Sequence, residues 1–229
     1  LCVPTVRAFA EEPFLSVSST SQYGVPYTTM SQVRAETRIE RLFTHSDSIE
    51  RGDVYLIVAP GWEWSDINQD ATPTLYSFVY ANASANLTYN GALNWDEHKD
   101  LTSLHVLAFR TISPAGMEEV MNRVVNNLKT GDSLVITNSV AFLGEYDEAE
   151  DYSCFVVKDA SDKGLFTSSN TRHMGLITTL DAVHAVEALA STSQRFPAQL
   201  TVYPASDLMP TITRLDTLTR DSAMATALQ

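Results

Sequence analysis

The feature that most constrains this chain is the run Val54 to Ala59 inside "GDVYLIVAPGWEWSD" (52–66), in which six apolar residues follow one another without a polar interruption. Successive side chains of a strand point to opposite faces, so such a run is apolar on both. It therefore predicts a central strand in a sheet covered on both sides rather than a half-exposed edge. The run ends at a Pro60-Gly61 corner followed by Trp62 and Trp64. A strand, a glycine turn and a helix start together can cradle a phosphate or admit a cofactor to bare backbone. Here only Gly61 occupies the turn, and Trp62, Glu63 and Trp64 crowd the place where small residues are needed. The next segment, "SDINQDATPTL", contains Pro73 and little apolar periodicity, which speaks against a helix there. The corner reads as the end of a buried strand.

Further strands are predicted in "TLYSFVYANAS", "SLHVLAFRTI", "SLVITNSVAFLG", "SCFVVKDA" and "QLTVYP", from their aromatic and β-branched content. Asn90-Gly91 is a turn signal. The clearest helix is "SPAGMEEVMNRVVNNLKTG": Ser113 caps it, Pro114 suits its first position, and Met117, Val120, Met121, Val124, Val125 and Leu128 form one stripe. A second helix, "TTLDAVHAVEALASTS", stops before Pro197, and a short one lies in "SQVRAETRIERLFTH". Residues 1–30 and 208–229 read as extended arms on a single domain, 31–207, with a short strand at Phe14 to Val17. The expected fold class is α+β and β-rich: mainly antiparallel sheet with two or three helices and terminal arms. The alternatives are a viral jelly roll and an α/β Rossmann-like fold.

At 229 residues the chain can bury a sizeable core, and no apolar run approaches the roughly 20 residues that span a bilayer. A net charge of −13 disfavours a surface that grips phosphate backbones, so genome or nucleic-acid contact is expected to be weak or indirect. Cys2 and Cys154 form neither a disulfide framework nor a metal motif, and Cys154, opening an apolar strand, reads as core. Asn82-Ala83-Ser84 and Asn86-Leu87-Thr88 are glycosylation sequons, the only sign of a secreted binding domain.

No catalytic motif is complete. Asp96, Glu97, His98, Asp100 and His105 cluster in "WDEHKDLTSLH", where a carboxylate can tune a histidine, but no metal-type spacing accompanies them; the expectation is a solvated turn entering a strand. There is no nucleophile elbow and no P-loop. Glu145, Asp147, Glu148 and Asp151 could offer oxygen ligands to a cation, though a solvated acidic loop is the simpler reading. The expectation is no enzyme, no cofactor and no metal. Large rings in the arm and at the strand end, Phe14, Tyr23, Tyr27, Trp62 and Trp64, are the candidate interface residues.

Two stretches carry a resemblance. "AETRIERLFTHSDSI" (35–49) resembles the segment before the first barrel strand in VP1-type capsid proteins of picorna-like viruses, and the final "TALQ" resembles the left side of a cut by a viral 3C-type cysteine protease, with Gln229 at the cleaved position. The resemblance implies a structural subunit of a virion, assembled in the host cytoplasm from copies of itself and sibling capsid chains, with no membrane partner. Separately, "LHVLAFRTISPAGMEEVMNRVVNNLKTGDSLVI" resembles the strand, helix and strand in the second half of Rossmann-like methyltransferases, which implies S-adenosylmethionine as the alternative ligand.

Overall fold

The computed structural model describes residues 25–34, 52–91, 103–144, 152–158, 163–191, 196–205, 208, 211–215 and 217. Its centre is one sheet whose strands β1 (Val54–Val58), β2 (Ala83–Thr88), β3 (Leu104–Ala108), β4 (Ser133–Thr137), β5 (Tyr152–Lys158), β6 (Gly164–Ser168), β7 (Leu176–Thr178) and β8 (Leu200–Pro204) run in the spatial order β3-β1-β4-β5-β2-β6-β8. β7 pairs with β2 alongside β6. The α+β, strand-rich expectation agrees with this architecture. The mainly antiparallel one does not: β1 is parallel to β3 and β4, β2 is parallel to β6 and β7, and only the β2–β5, β4–β5 and β6–β8 pairs are antiparallel. A jelly roll of two antiparallel sheets is likewise not what the described strands form. The reason is the helix between β3 and β4. Parallel strands need a long crossover, and residues 109–132 supply one between β3 and β4, which flank β1.

A short helix, α1 (Met30–Arg34), precedes β1, and longer helices lie on both faces of the sheet. On one, α2 (Pro73–Ala81) and α3 (Pro114–Asn127) bury Leu75, Phe78 and Val79 and Met117, Val120, Met121 and Val124 against Ile57, Leu134, Ile136 and Val156. On the other, α4 (Thr179–Ala190) packs Ala182, Val183, Val186 and Leu189 over Val54, Leu56, Val58, Val135 and Val157. β1 is buried at all five positions, as its composition requires. Burying each Val, Leu or Met side chain contributes about 1.5–3 kcal/mol. Phe142, Phe155, Phe166 and Phe196 continue the α4 face as a chain of rings, with successive centroids 6.1, 5.9 and 5.2 Å apart.

α3 and α4 lie where their caps place them. Ser113 Oγ accepts from the Gly116 N–H, and Thr178 and Asp181 form a reciprocal capping box. "TLYSFVYA" is not a strand. Pro73 stands in the first turn of α2, where a missing N–H is harmless, and Leu75, Phe78 and Val79 sit at helical spacing, so the residue that argued against a helix starts one. β6 and β7 have no counterpart among the predicted strands. Asn90-Gly91 makes no hairpin, since β2 and β3 lie apart in the sheet; Asn90 Oδ1 instead accepts from the Leu180 N–H at the start of α4. Leu208 and Ile212 are buried in the same hydrophobic core as Leu165.

Candidate functional site

In sheets built from strand, helix and parallel strand, ligands bind beyond the carboxyl ends of the strands. That end is occupied by the chain itself. After β1, Gly61 turns the chain with φ +101°, and a side chain there would meet Thr111 Oγ1 at 2.7 Å and the Ile112 carbonyl at 2.8 Å. The Ile112 N–H donates to the Pro60 carbonyl at 2.7 Å, closing the β1 turn onto the loop after β3. Trp62 and Trp64 then fold inward, 0 % and 2 % exposed, with their rings edge to face at 6.4 Å. The Trp64 indole N–H donates to Asn86 Oδ1 on β2. Asn138, just past β4, donates through Nδ2 to the Trp62 carbonyl at 2.7 Å and accepts the Cys154 N–H at 2.6 Å. A single asparagine thus joins the β1 loop to β5.

The other anion-attracting feature is also satisfied internally. The N-terminus of α2 directs the N–H groups of Thr74 and Leu75 at the Glu118 carboxylate of α3, at 2.9, 3.1 and 3.0 Å. A helix N-terminus favours negative charge, and here a side chain supplies it.

The amino ends of the same strands are different. Asp53 and Asp132, 8 % and 5 % exposed, precede β1 and β4. Asp132 Oδ1 accepts the Asp53 N–H at 3.0 Å, its Oδ2 accepts the Lys129 N–H at 2.8 Å, and Lys158 Nζ donates to its carbonyl at 2.9 Å. His105 Nε2 faces Asp53 Oδ2 at 3.6 Å and its ring stacks on Tyr55 at 5.1 Å. Burial first, then the Asp132 and Asp53 carboxylates and a hydrogen bond with Asp53, hold the Tyr55 phenol well above the usual range. Gly52 passes so close to Gly131 that a side chain would overlap the Gly131 carbonyl. The Asp132 carboxylate thus fixes strand ends, while the Asp53 carboxylate faces the His105 and Tyr55 side chains.

Of these residues, only His105 stood among the candidates from sequence. Asp53, Tyr55, Asp132 and Lys158 did not, although a signal exists. Gly-Asp precedes an apolar strand twice, in "GDVYLIV" and "GDSLVIT", and the two copies lie side by side because β1 pairs with β4 from Val54 and Ser133.

The remaining sequence candidates fall as follows. Trp62 and Trp64, offered by the sequence as interface residues, lie in this chain's own core. The strand end points them inward, under α2 and α3. Tyr27 lies at the outer edge of β3, bridged to Ala108, with the Arg110 guanidinium 5.7 Å from its ring centre. Phe14, Tyr23, Glu145, Asp147, Glu148, Asp151 and Gln229 lie outside the described residues, as do Asp96, Glu97, His98 and Asp100. Asn86 is fully buried in β2 and bonded to Trp64, so a glycan has no place there in the folded chain. Cys154 is a buried free thiol, as expected. The chain matches no protein-family model, no curated protein and no solved structure.

Proposed function

We propose that this chain is a structural subunit of a viral shell, assembling with copies of itself or with sibling chains through its arms and sheet edges, with no catalytic role. The observation that carries the reading is the contrast between the two edges of the sheet. At the β3 edge the chain's own leading segment makes one parallel bridge: Tyr27 bridges Ala108, and the Thr28 N–H donates to the Ala108 carbonyl at 2.7 Å. At the other edge, β8 pairs only with β6 among the described residues, and "LTVYP" carries no charge while Tyr203 is half exposed. Isolated proteins usually blunt such an edge with charges or cover it. Pro204 blunts only its end. A chain that adds an arm to one edge and leaves the other open suits subunits that exchange arms. The likeness of residues 35–49 to capsid arms supports the same job.

Sedimentation of the purified chain, alone and with sibling chains, tests it. The expected result is closed assemblies that a proline at Val202 abolishes while circular dichroism stays unchanged; a monomer indifferent to partners at high concentration overturns it.

A second reading, a Rossmann-like methyltransferase or degenerate relative, is favoured by one observation: β3, α3 and β4 do form a parallel crossover unit beneath a helix-covered sheet. Against it stand Trp62, Trp64 and Glu118 in the cofactor's place. Calorimetry with S-adenosylmethionine decides, and heat of binding at micromolar concentration would favour this reading.

A further inference from the structure

Beside the open edge, β6, β8 and the loop 169–174 enclose a groove of about 490 Å³. Its floor alternates with the strands: Thr167 lies opposite Thr201, and Leu165 opposite Tyr203, on the sheet face that carries α2 and α3. Three properties set it apart.

First, among the described residues that line it, Arg172 is the only cation and none is a carboxylate, in a chain whose net charge is −13. Second, among the described residues the side chains of Arg172, Ser169, Gln199, Thr201 and Tyr203 find no hydrogen-bond or ion-pair partner, so a guanidinium, an amide and three hydroxyls face the groove. Third, Arg172 is held in a left-handed backbone conformation, φ +56°, the one non-glycine residue so placed among the described residues. Left-handed backbone costs a side-chain-bearing residue of order 1 kcal/mol and persists where neighbours fix it. They do so here. The Arg172 N–H donates to the Ser168 carbonyl at 2.9 Å, the Gly175 N–H to the Phe166 carbonyl at 2.7 Å, and Asn170 Nδ2 to Asp181 Oδ1 at 2.7 Å. The loop therefore presents its arginine from a fixed frame, and little ordering is needed on binding.

We infer that this groove receives an extended, carboxylate-bearing segment that adds to the β8 edge, and that the segment is residues 9–19 of a second copy, "FAEEPFLSVSS". Charge complementarity selects it: Glu11 and Glu12 answer Arg172, while Phe14 to Val17 supply a short β-forming run for the edge, with Phe14 against the exposed Met174 and Tyr203. The acidic stretch at residues 145–151 is joined at both ends, to Gly144 and to β5, and carries no comparable apolar run. Residues 25–28 of the same arm already lie along an edge, that of β3.

This inference rests on the assembly reading and names the segment that fills its open edge. The test is binding of a labelled synthetic peptide of residues 9–19 to the full chain, followed by fluorescence anisotropy. Saturable binding that weakens with salt is expected. Arg172→Gln, at an exposed position, or Glu11→Gln with Glu12→Gln in the peptide, should weaken it about ten- to a hundredfold, the range for losing a charge-assisted hydrogen bond. Absence of binding at millimolar peptide, or equal affinity for the Arg172→Gln chain, overturns the inference. The two proposals fail separately. Specific peptide binding by a chain that never assembles removes the shell and keeps the groove; assembly undiminished by Arg172→Gln removes the groove and keeps the shell.

Discussion

The two ends of the parallel strands solve opposite problems with opposite chemistry. At the carboxyl end, where this kind of topology usually leaves a crevice, two tryptophans, an asparagine bridge and a carboxylate borrowed from α3 fill the space. At the amino end, usually a place of plain turns, Asp53, Tyr55, His105, Asp132 and Lys158 gather on neighbouring strands. The lesson is that polarity alone does not locate a site. At the polar end Asp132 and Lys158 hold backbone while Asp53, His105 and Tyr55 face one another, and the end that could have held a ligand is closed by apolar rings.

The largest test of that contrast is Trp64→Ala. It removes a buried ring and leaves Asn86 Oδ1 without its donor, so a loss of about 3–5 kcal/mol is expected from urea unfolding. A loss under about 1 kcal/mol would mean that the carboxyl end is not closed by packing.

Next comes Asp132→Ala at the other end. Two backbone N–H groups lose their acceptor, and destabilisation of about 1–3 kcal/mol is expected, with hydrogen exchange accelerating at Asp53 and Lys129 before the rest of the sheet. Uniform exchange would contradict the role assigned to this carboxylate as a local clasp.

Glu118→Ala is expected to cost about 1 kcal/mol, through the N-terminus of α2 alone. If the carboxylate stands where an anion would otherwise bind, Glu118→Gln should also let sulfate raise the melting temperature more than in the parent chain. An unchanged response to sulfate counts against that idea.

The smallest effect at neutral pH is Tyr55→Phe. Because folding raises the phenol's pKa, the protonated phenol is favoured in the folded chain, and its contribution is fully present below the unfolded value of about 10. That contribution is lost as pH rises above about 10 towards the folded value. Alkaline unfolding of the parent should therefore steepen above that pH, and the phenylalanine variant should show a shallower decline. Identical alkaline profiles would show that Tyr55 ionises freely.

Much of the fold was legible where local chemistry and tertiary demand agree. The β1 run, the Ser113-Pro114 cap with its stripe, and the helix that ends before Pro197 each needed only their own residues to declare themselves. α2 was misread because its aromatic residues suit a strand as well as a helix, and only packing on α3 decides between the periods. The amino-end cluster was hidden for another reason. Its members lie at 53, 55, 105, 132 and 158, and strand pairing alone brings such distant residues together.

By itself the sequence determined that β1 must be central and covered, that two capped helices flank strands, and that an acidic surface disfavours a nucleic-acid grip. These follow from side-chain periodicity and net charge, which need no partner to be read. Tertiary structure alone decided that the sheet is mixed, that Trp62 and Trp64 face inward, that Glu118 caps a helix other than its own, and that Arg172 lines a groove beside the β8 edge. Each depends on which distant segments meet, and that is set by the burial of both sheet faces at once rather than by any local preference.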